Sequence, residues 1–445
     1  MGRPTRALIA GLRRMRRGFT LVELMVALTG GLFVTIAVFL LARQSTELYQ
    51  TETRIANATV GSVIGFERLR ADIARAGYLT TPNIQRDPRF CGTIATAWPD
   101  FLEYLSSIRI QATTAVPAAL SAAGIAPQEI ILAGSYASND QFPTWEIVDT
   151  GSNFAVTLQP DSPGMGRLGY HRETTQAGRE ALLSAVFASG RILRLVDTTG
   201  REQYARIATV AAPGTAIDAS DSTRPKVLLA NANPAVLFRA QQAVLNCGIH
   251  GGGDRTLVNV VNIVKYSIRD VSGIARLAPL TQAATVTGVV SSGAHSNTGR
   301  SELVREELDP SGQTIAGTEE VVAEFAVNLD FGIVVDELVV SGSTTSEQLL
   351  AFPPGDANVA AWAGDPATIT LAARGPQLVR SVRARLSVRS QQADRETGIP
   401  SALADGGGEP ISPGLYRFPV GGGFARVRTA QSEIAIRSHR SATWL

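Results

Sequence analysis

The sequence predicts an α+β fold: a long N-terminal helix, membrane-spanning in one half and amphipathic in the other, packed on an antiparallel β-sheet body. Three observations predict it. Residues 19–42 form an apolar run of 24 residues with one ionisable side chain, Glu23. Residues 43–78 carry apolar and small side chains at helical spacing. The chain from residue 128 onward is rich in β-branched runs separated by Gly/Ser/Pro-rich connections.

The apolar run comes first. At about 1.5 Å of rise per residue, its helix reaches about 36 Å, enough to cross a hydrocarbon core of about 30 Å with some tilt. Arg3, Arg6, Arg13, Arg14, Arg16 and Arg17 stand before it with no acid among them. The positive-inside rule keeps that leader in the cytoplasm and sends the rest of the chain across. A cleaved secretory signal fits poorly, because the run is too long for an h-region and lacks a small-residue cleavage site in polar sequence behind it. Glu23 is the anomaly, since a carboxylate inside the bilayer costs on the order of 2.5–3.5 kcal/mol. Its helical neighbours Phe19, Thr20, Val26 and Ala27 supply no cation. A partner is expected from another chain or from a newly made amino terminus. Gly30-Gly31, mid-span, suits either close helix packing or a soft point in the helix.

The second half of the helix follows. Leu48, Ile55, Thr59, Ser62, Phe66, Leu69, Ile73 and Ala76 make one stripe, with Glu67, Arg68, Arg70, Asp72 and Arg75 expected off it. Gly77 is a natural stop, with Pro82 close behind. The organisation read from this is a leader at 1–18, a helix at 19–78 (19–42 in the membrane) and a β-rich body at 79–445. Residues 101–125 read as weakly helical. Strands are expected at 128–136, 145–148, 154–158, 191–196, 205–210, 226–229, 256–269, 302–306, 378–389 and 425–436, with 145–148 and 154–158 as neighbours of 128–136. Residues 319–334 read as a turn of helix and then a strand. The stretch LVRSVRARLSVR at 378–389 sets Val379, Val382, Ala384, Leu386 and Val388 on one face and arginines on the other, as a strand with one wet face would.

Composition narrows the function. The formal charge is +2, but loss of residues 1–18 removes six of the 41 basic residues and leaves 35 against 39 acids, or −4. Such a chain is no candidate for nucleic-acid binding. Cys91 and Cys247 are the two cysteines, each followed by glycine. In an exported body they are expected to pair, with two unpaired thiols as the alternative. A link across 156 residues contributes about 4–5 kcal/mol by chain entropy. His171, His250, His295 and His439 lack metal-ligand spacing. The Gly-rich 248–254 lacks the strand-to-helix context of a phosphate loop, and 405–409 falls short of a calcium loop. No metal, no cofactor and no enzymatic activity are expected.

Gly18-Phe19-Thr20-Leu21-Val22-Glu23, between a basic leader and an apolar helix, resembles the prepilin peptidase site of type IV pilins and type II secretion pseudopilins. The resemblance implies cleavage after Gly18 by a prepilin peptidase, N-methylation of Phe19, and pairing of Glu23 with the amino terminus of an adjacent subunit. Either Met1 or Met15 can start the leader. Residues 66–78 (FERLRADIARAGY), 265–268, 301–306, 319–327, 329–332 and 379–389 are, in that order, similar to the PilW minor-pilin family. The stretch 160–250 and the long C-terminal loops depart from it. That likeness implies a low-abundance subunit of a priming or tip complex. Its partners would be the peptidase/methyltransferase, other minor pilins, the major pilin, the inner-membrane assembly platform and the lipid bilayer. It would sit first in the inner membrane with its body in the periplasm, then at the pilus tip. A minor pseudopilin of a type II secretion system shares the same amino terminus. A membrane-anchored periplasmic adhesin or enzyme is the reading from another class.

Overall fold

The computed structural model describes residues 20–91, 98–149, 153–212, 224–230, 255–277, 300–341, 344–369, 374–390, 411–412, 415–417 and 424–440. Contacts divide the chain into two units, residues 1–54 and 55–445. The α+β expectation holds. Helix α1, Leu21–Ala74, contributes to both units and contains no proline. Within the first unit, Leu21–Thr46 is long and apolar enough to cross a membrane and is wholly exposed.

In the second unit, α1 buries Ala58, Ser62, Phe66, Leu69, Asp72 and Ile73, one row along the helix. The expected stripe therefore holds from Ser62 onward, while Leu48 and Thr59 are exposed. Full burial of Phe66, Leu69 and Ile73 contributes about 1.5–3 kcal/mol each. Asp72 was expected outside the stripe and instead lies in the core. Gly77 ends the segment with φ of +74°, the left-handed geometry expected of it.

Sixteen strands occur among the described residues. Strands β1 (Ile108–Ala112) and β2 (Gln128–Gly134) pair with each other, and β2 pairs with β8 (Leu257–Arg269). On the other side of β8, β9 (Glu302–Leu308) and then β10 (Glu320–Ala323) complete a five-stranded antiparallel body sheet. A second body sheet runs β12 (Thr344–Phe352), β11 (Ala326–Ser341), β13 (Val379–Arg389), β16 (Phe424–Ala435), β15 (Leu415–Arg417) and β14 (Ile411–Ser412). Their inner faces share one core with α1.

Strands β3 (Phe142–Asp149), β4 (Asn153–Leu158), β5 (Ile192–Val196), β6 (Glu202–Ala211) and β7 (Lys226–Ala230) do something else. The order β3-β4-β7-β6-β5 begins and ends on β8, because β3 pairs with residues 257–258 and β5 with residues 257–261. Every pairing is antiparallel, so the result is a closed six-stranded barrel. Its interior is packed with Phe142, Phe154, Leu193, Leu229 and Val258, and with Leu183 and Val186 from the helix Gln176–Val186. Phe142 and Phe187 meet edge to face with centroids 5.1 Å apart. Strands 145–148 and 154–158 are thus partners of each other within the barrel, and they do not neighbour β2.

Strand β8 explains how barrel and body are joined. Its even-numbered side chains share one face. Val258 and Val260 on that face fill the barrel, whereas Val264, Tyr266 and Ile268 fill the body core. Buried Asn262 stands between them. Its Oδ1 accepts the Tyr136 and Ala137 amides, both at 3.1 Å, and its Nδ2 donates to Glu307 at 2.9 Å. Those bonds satisfy the backbone where the chain leaves β2 for β3.

Three further expectations are corrected. Residues 101–125 hold strand β1 between the short helices Asp100–Glu103 and Ala118–Ala122. No helical turn precedes β11, because Val321 pairs with Val304 and the chain reverses at Phe325 with φ of +56°. The arginine face of β13 is less wet than expected. Arg380, Arg383 and Arg385 pair with Asp336, Glu433 and Asp330, while Arg389 is buried. A register shift of β13 against β11, between Ser381 and Val379, puts Val379 on the face of Val382.

Candidate assembly site

Thr20 and Glu23 open α1. Thr20 Oγ1 accepts the Glu23 N–H at 3.2 Å, and Glu23 Oε2 accepts the Thr20 N–H at 3.1 Å and its hydroxyl at 3.0 Å. This is a capping box, built from the Thr-x-x-Glu spacing. It satisfies helix-end donors, and it sets the carboxylate at the positive end of the helix dipole. Glu23 thus has a neutral partner on its own helix, although its helical neighbours supply no cation. Among the described residues no cation pairs with it. Gly18 and Phe19, the expected cleavage and methylation residues, lie outside the described residues.

The body half of α1 has two faces. One packs into the core. Val60, Val63 and Ile64 stand on the other, each at least half exposed. An apolar row on both sides of a helix is a surface for packing a further element.

What holds the first face in place is Asp72. Its Oδ2 accepts from Tyr266 Oη at 2.8 Å and from Arg305 Nε at 2.8 Å, and all three residues are buried. Tyr136 Oη donates to the Asp72 carbonyl at 3.0 Å. Burial, with Asp72 beside it, raises the Tyr266 phenol far above its usual range. Burial alone would lower Arg305, but the adjacent Asp72 carboxylate holds it above its ordinary value. Three strands of sequence, at 72, 266 and 305, meet in one charge-assisted clamp. The only sign of it in the sequence is the position of the acid, one turn after Leu69 and next to Ile73, at the buried face of the helix.

Cys91 is buried and disulfide-bonded, although the glycine that follows it would suit an exposed turn. Cys247 lies outside the described residues. Cys91 N donates to the Glu202 carbonyl and Glu202 N to the Arg89 carbonyl, each at 2.8 Å, laying residues 89–91 along β6 of the barrel. Beneath that seam, Arg194 grips Glu202 at 2.7 and 2.5 Å, and Tyr204 donates to it at 2.7 Å. Burial opposes ionisation of Glu202, yet Arg194 holds its carboxyl below the usual range. His250, His295, 248–254 and 405–409 lie outside the described residues. Among the described residues, no three His, Cys, Asp or Glu side chains gather into a metal-holding group.

Residues 13–29 match the prokaryotic N-terminal methylation motif. The amino terminus is that of a type IV pilin-like or pseudopilin-like protein. The match spans the basic leader, the Gly18-Phe19 junction and Glu23. The apolar helix that follows is a candidate membrane anchor for this pilin-like chain. No curated protein and no solved structure matches the chain.

Proposed function

We propose that this chain is a minor pilin of the PilW type, a structural subunit without catalytic activity that works in a priming or tip complex. The observation carrying the reading is Glu23 in its capping box within the methylation motif at residues 13–29, with no cation beside it among the described residues. Prepilin peptidase cuts after Gly18, and the new Phe19 amine is methylated. A neighbouring subunit then presents that cation to the Glu23 carboxylate. The apolar helix passes from lipid to helix packing without meeting water, so transfer out of the inner membrane carries no large desolvation cost. The exposed Val60, Val63 and Ile64 extend the packing surface beyond the membrane-spanning residues. Among the described residues the barrel takes nothing from α1 for its core, which suits it to outward display at a tip. The assembly platform, other minor pilins and the major pilin are its partners in this reading.

Mass spectrometry of protein from an expressing cell tests it. The expected mature chain begins with N-methyl-phenylalanine at position 19; an intact 1–18 leader would overturn the reading. Glu23→Ala should leave the protein in the membrane and abolish its incorporation, and wild-type incorporation would remove the role of Glu23. A minor pseudopilin would pass both tests. Its gene neighbourhood, secretion or pilus, separates the two.

A further inference from the structure

The described chain ends in a 3₁₀ turn, Arg437–Arg440, set against the residues that follow α1 and against both body sheets. Ser438 Oγ donates to the Ala76 carbonyl. His439 Nδ1 lies 2.7 Å from the Val379 carbonyl, which can only accept, so Nδ1 carries a proton. Nε2 is therefore the acceptor, and Ser107 Oγ donates to it at 2.6 Å. Arg380 donates to the His439 carbonyl, and Ile436 N donates to the Arg380 carbonyl at 2.9 Å. The packing has no slack: a Cβ on Gly77 would sit 2.6 Å from Ser438 Oγ and 3.2 Å from His439 Nε2. Ser107 and His439 are completely buried. A Ser–His pair of this kind is not a nucleophile, because no substrate reaches it and a backbone carbonyl orients the ring where catalysis would use a carboxylate.

We propose that His439 is an acid-released latch, holding the C-terminal turn onto the end of α1 while its ring is neutral and letting go when the ring takes a proton. Protonation does not break the Ser107 contact by geometry, since a hydroxyl can turn and accept. It places a cation in a dry site. The charged groups around that site offer no compensation. Arg380 is a cation and holds Asp336 in its own ion pair at 2.9 Å. Arg75, near the helix end, is directed at the Ser135 carbonyl and Asn139. On the β1 side, Arg109 is taken up by Asp100 and Asp365. Burial first, and Arg380 second, push the His439 imidazole down to about 4, against a partial rise from the Val379 carbonyl. A depressed histidine favours the folded form above the ordinary value of about 6.5, and that contribution is lost as pH falls from there towards about 4.

The test is hydrogen exchange on the full mature chain in detergent, as protection factors corrected for intrinsic rates at pH 7.5, 5 and 4. Linkage predicts that protection of the Ile436 and His439 amides falls by up to about thirtyfold at pH 5 and about a hundredfold at pH 4. Amides of β5 should hold in the same samples. His439→Gln keeps a hydrogen-bonding side chain that does not titrate, and its protection should show no step with pH. Ser107→Ala removes the donor that favours the neutral ring, which brings the folded and unfolded proton affinities closer, so the fall in protection between pH 7.5 and pH 4 should be smaller than in wild type. Wild-type protection that is level down to pH 4 would overturn the latch. So would the same fall in His439→Gln or, if that variant does not fold, a fall in Ser107→Ala as large as in wild type.

Discussion

Phe66, Leu69 and Ile73 of α1 are part of the body core, alongside Ile130, Tyr266 and Val382 from the two body sheets. Among the described residues, the barrel core, from Phe142 to Val260, contains no residue of α1. Both cores nevertheless share strand β8. A closed barrel pairs all its strands and needs no covering element, whereas an open sheet must find one for its apolar face. The body is thus the part coupled to α1, and the barrel is the part that can vary without disturbing it. That division predicts separable failures.

The largest effect is expected at the clamp. Asp72→Ala leaves the Arg305 guanidinium and the Tyr266 hydroxyl buried with their acceptor gone. Removing one partner of a buried ion pair costs about 3–5 kcal/mol. Residue-level hydrogen exchange should show the loss in β9 and in residues 262–269 of β8, with β5 and β6 protected as in wild type. If barrel and body lose protection together, the two cores are one cooperative unit and the comparison fails.

That partition was only half legible in the sequence. The helix, β8, β13 and β16 stand out because long apolar periodicities survive any neighbour, and Thr-x-x-Glu at residues 20–23 is a readable cap. The barrel strands are also visible one by one. What cannot be read is that β5 returns to β8, because closure is a property of register between residues 192–196 and 257–261, far apart in sequence. Asp72 was missed for a related reason. Its partners lie 194 and 233 residues away, so a charge near a buried stripe looked like a charge at its border.

The next effect belongs to the seam. Cys91 lies against β6 at Glu202, on the barrel side of the division. Cys91→Ser should destabilise by about 2–4 kcal/mol, the usual range for a lost native disulfide. A reducing agent should lower the wild-type melting temperature to near that of the variant and leave the variant unchanged. Faster exchange is expected in β6 and β7, with the clamp at Asp72 unaffected. Peptide mapping without reductant should recover Cys91 linked to Cys247; free thiols at both would remove the stabilising role.

The smallest effect is the most discriminating, because it sets two glycines of one helix against each other. Gly65 is where α1 comes nearest the β10–β11 reversal. A Cβ there would lie 2.7 Å from the Ala323 Cβ and 3.0 Å from the Val322 carbonyl oxygen, neither of which is the end of a flexible side chain. Gly61, one turn earlier, has nothing within 4 Å. Alanine is favoured over glycine in a helix by about 0.8–1 kcal/mol. Gly61→Ala should therefore stabilise the body slightly. At Gly65 the same gain is opposed by overpacking of about 1–3 kcal/mol, so Gly65→Ala should be neutral to destabilising by up to about 2 kcal/mol. Adding Ala323→Gly to Gly65→Ala restores the space at the closer contact, and part of the loss should return. Equal melting temperatures for Gly61→Ala and Gly65→Ala would mean that α1 does not press on the body at this point, leaving Asp72 and the apolar row below it to hold the helix alone.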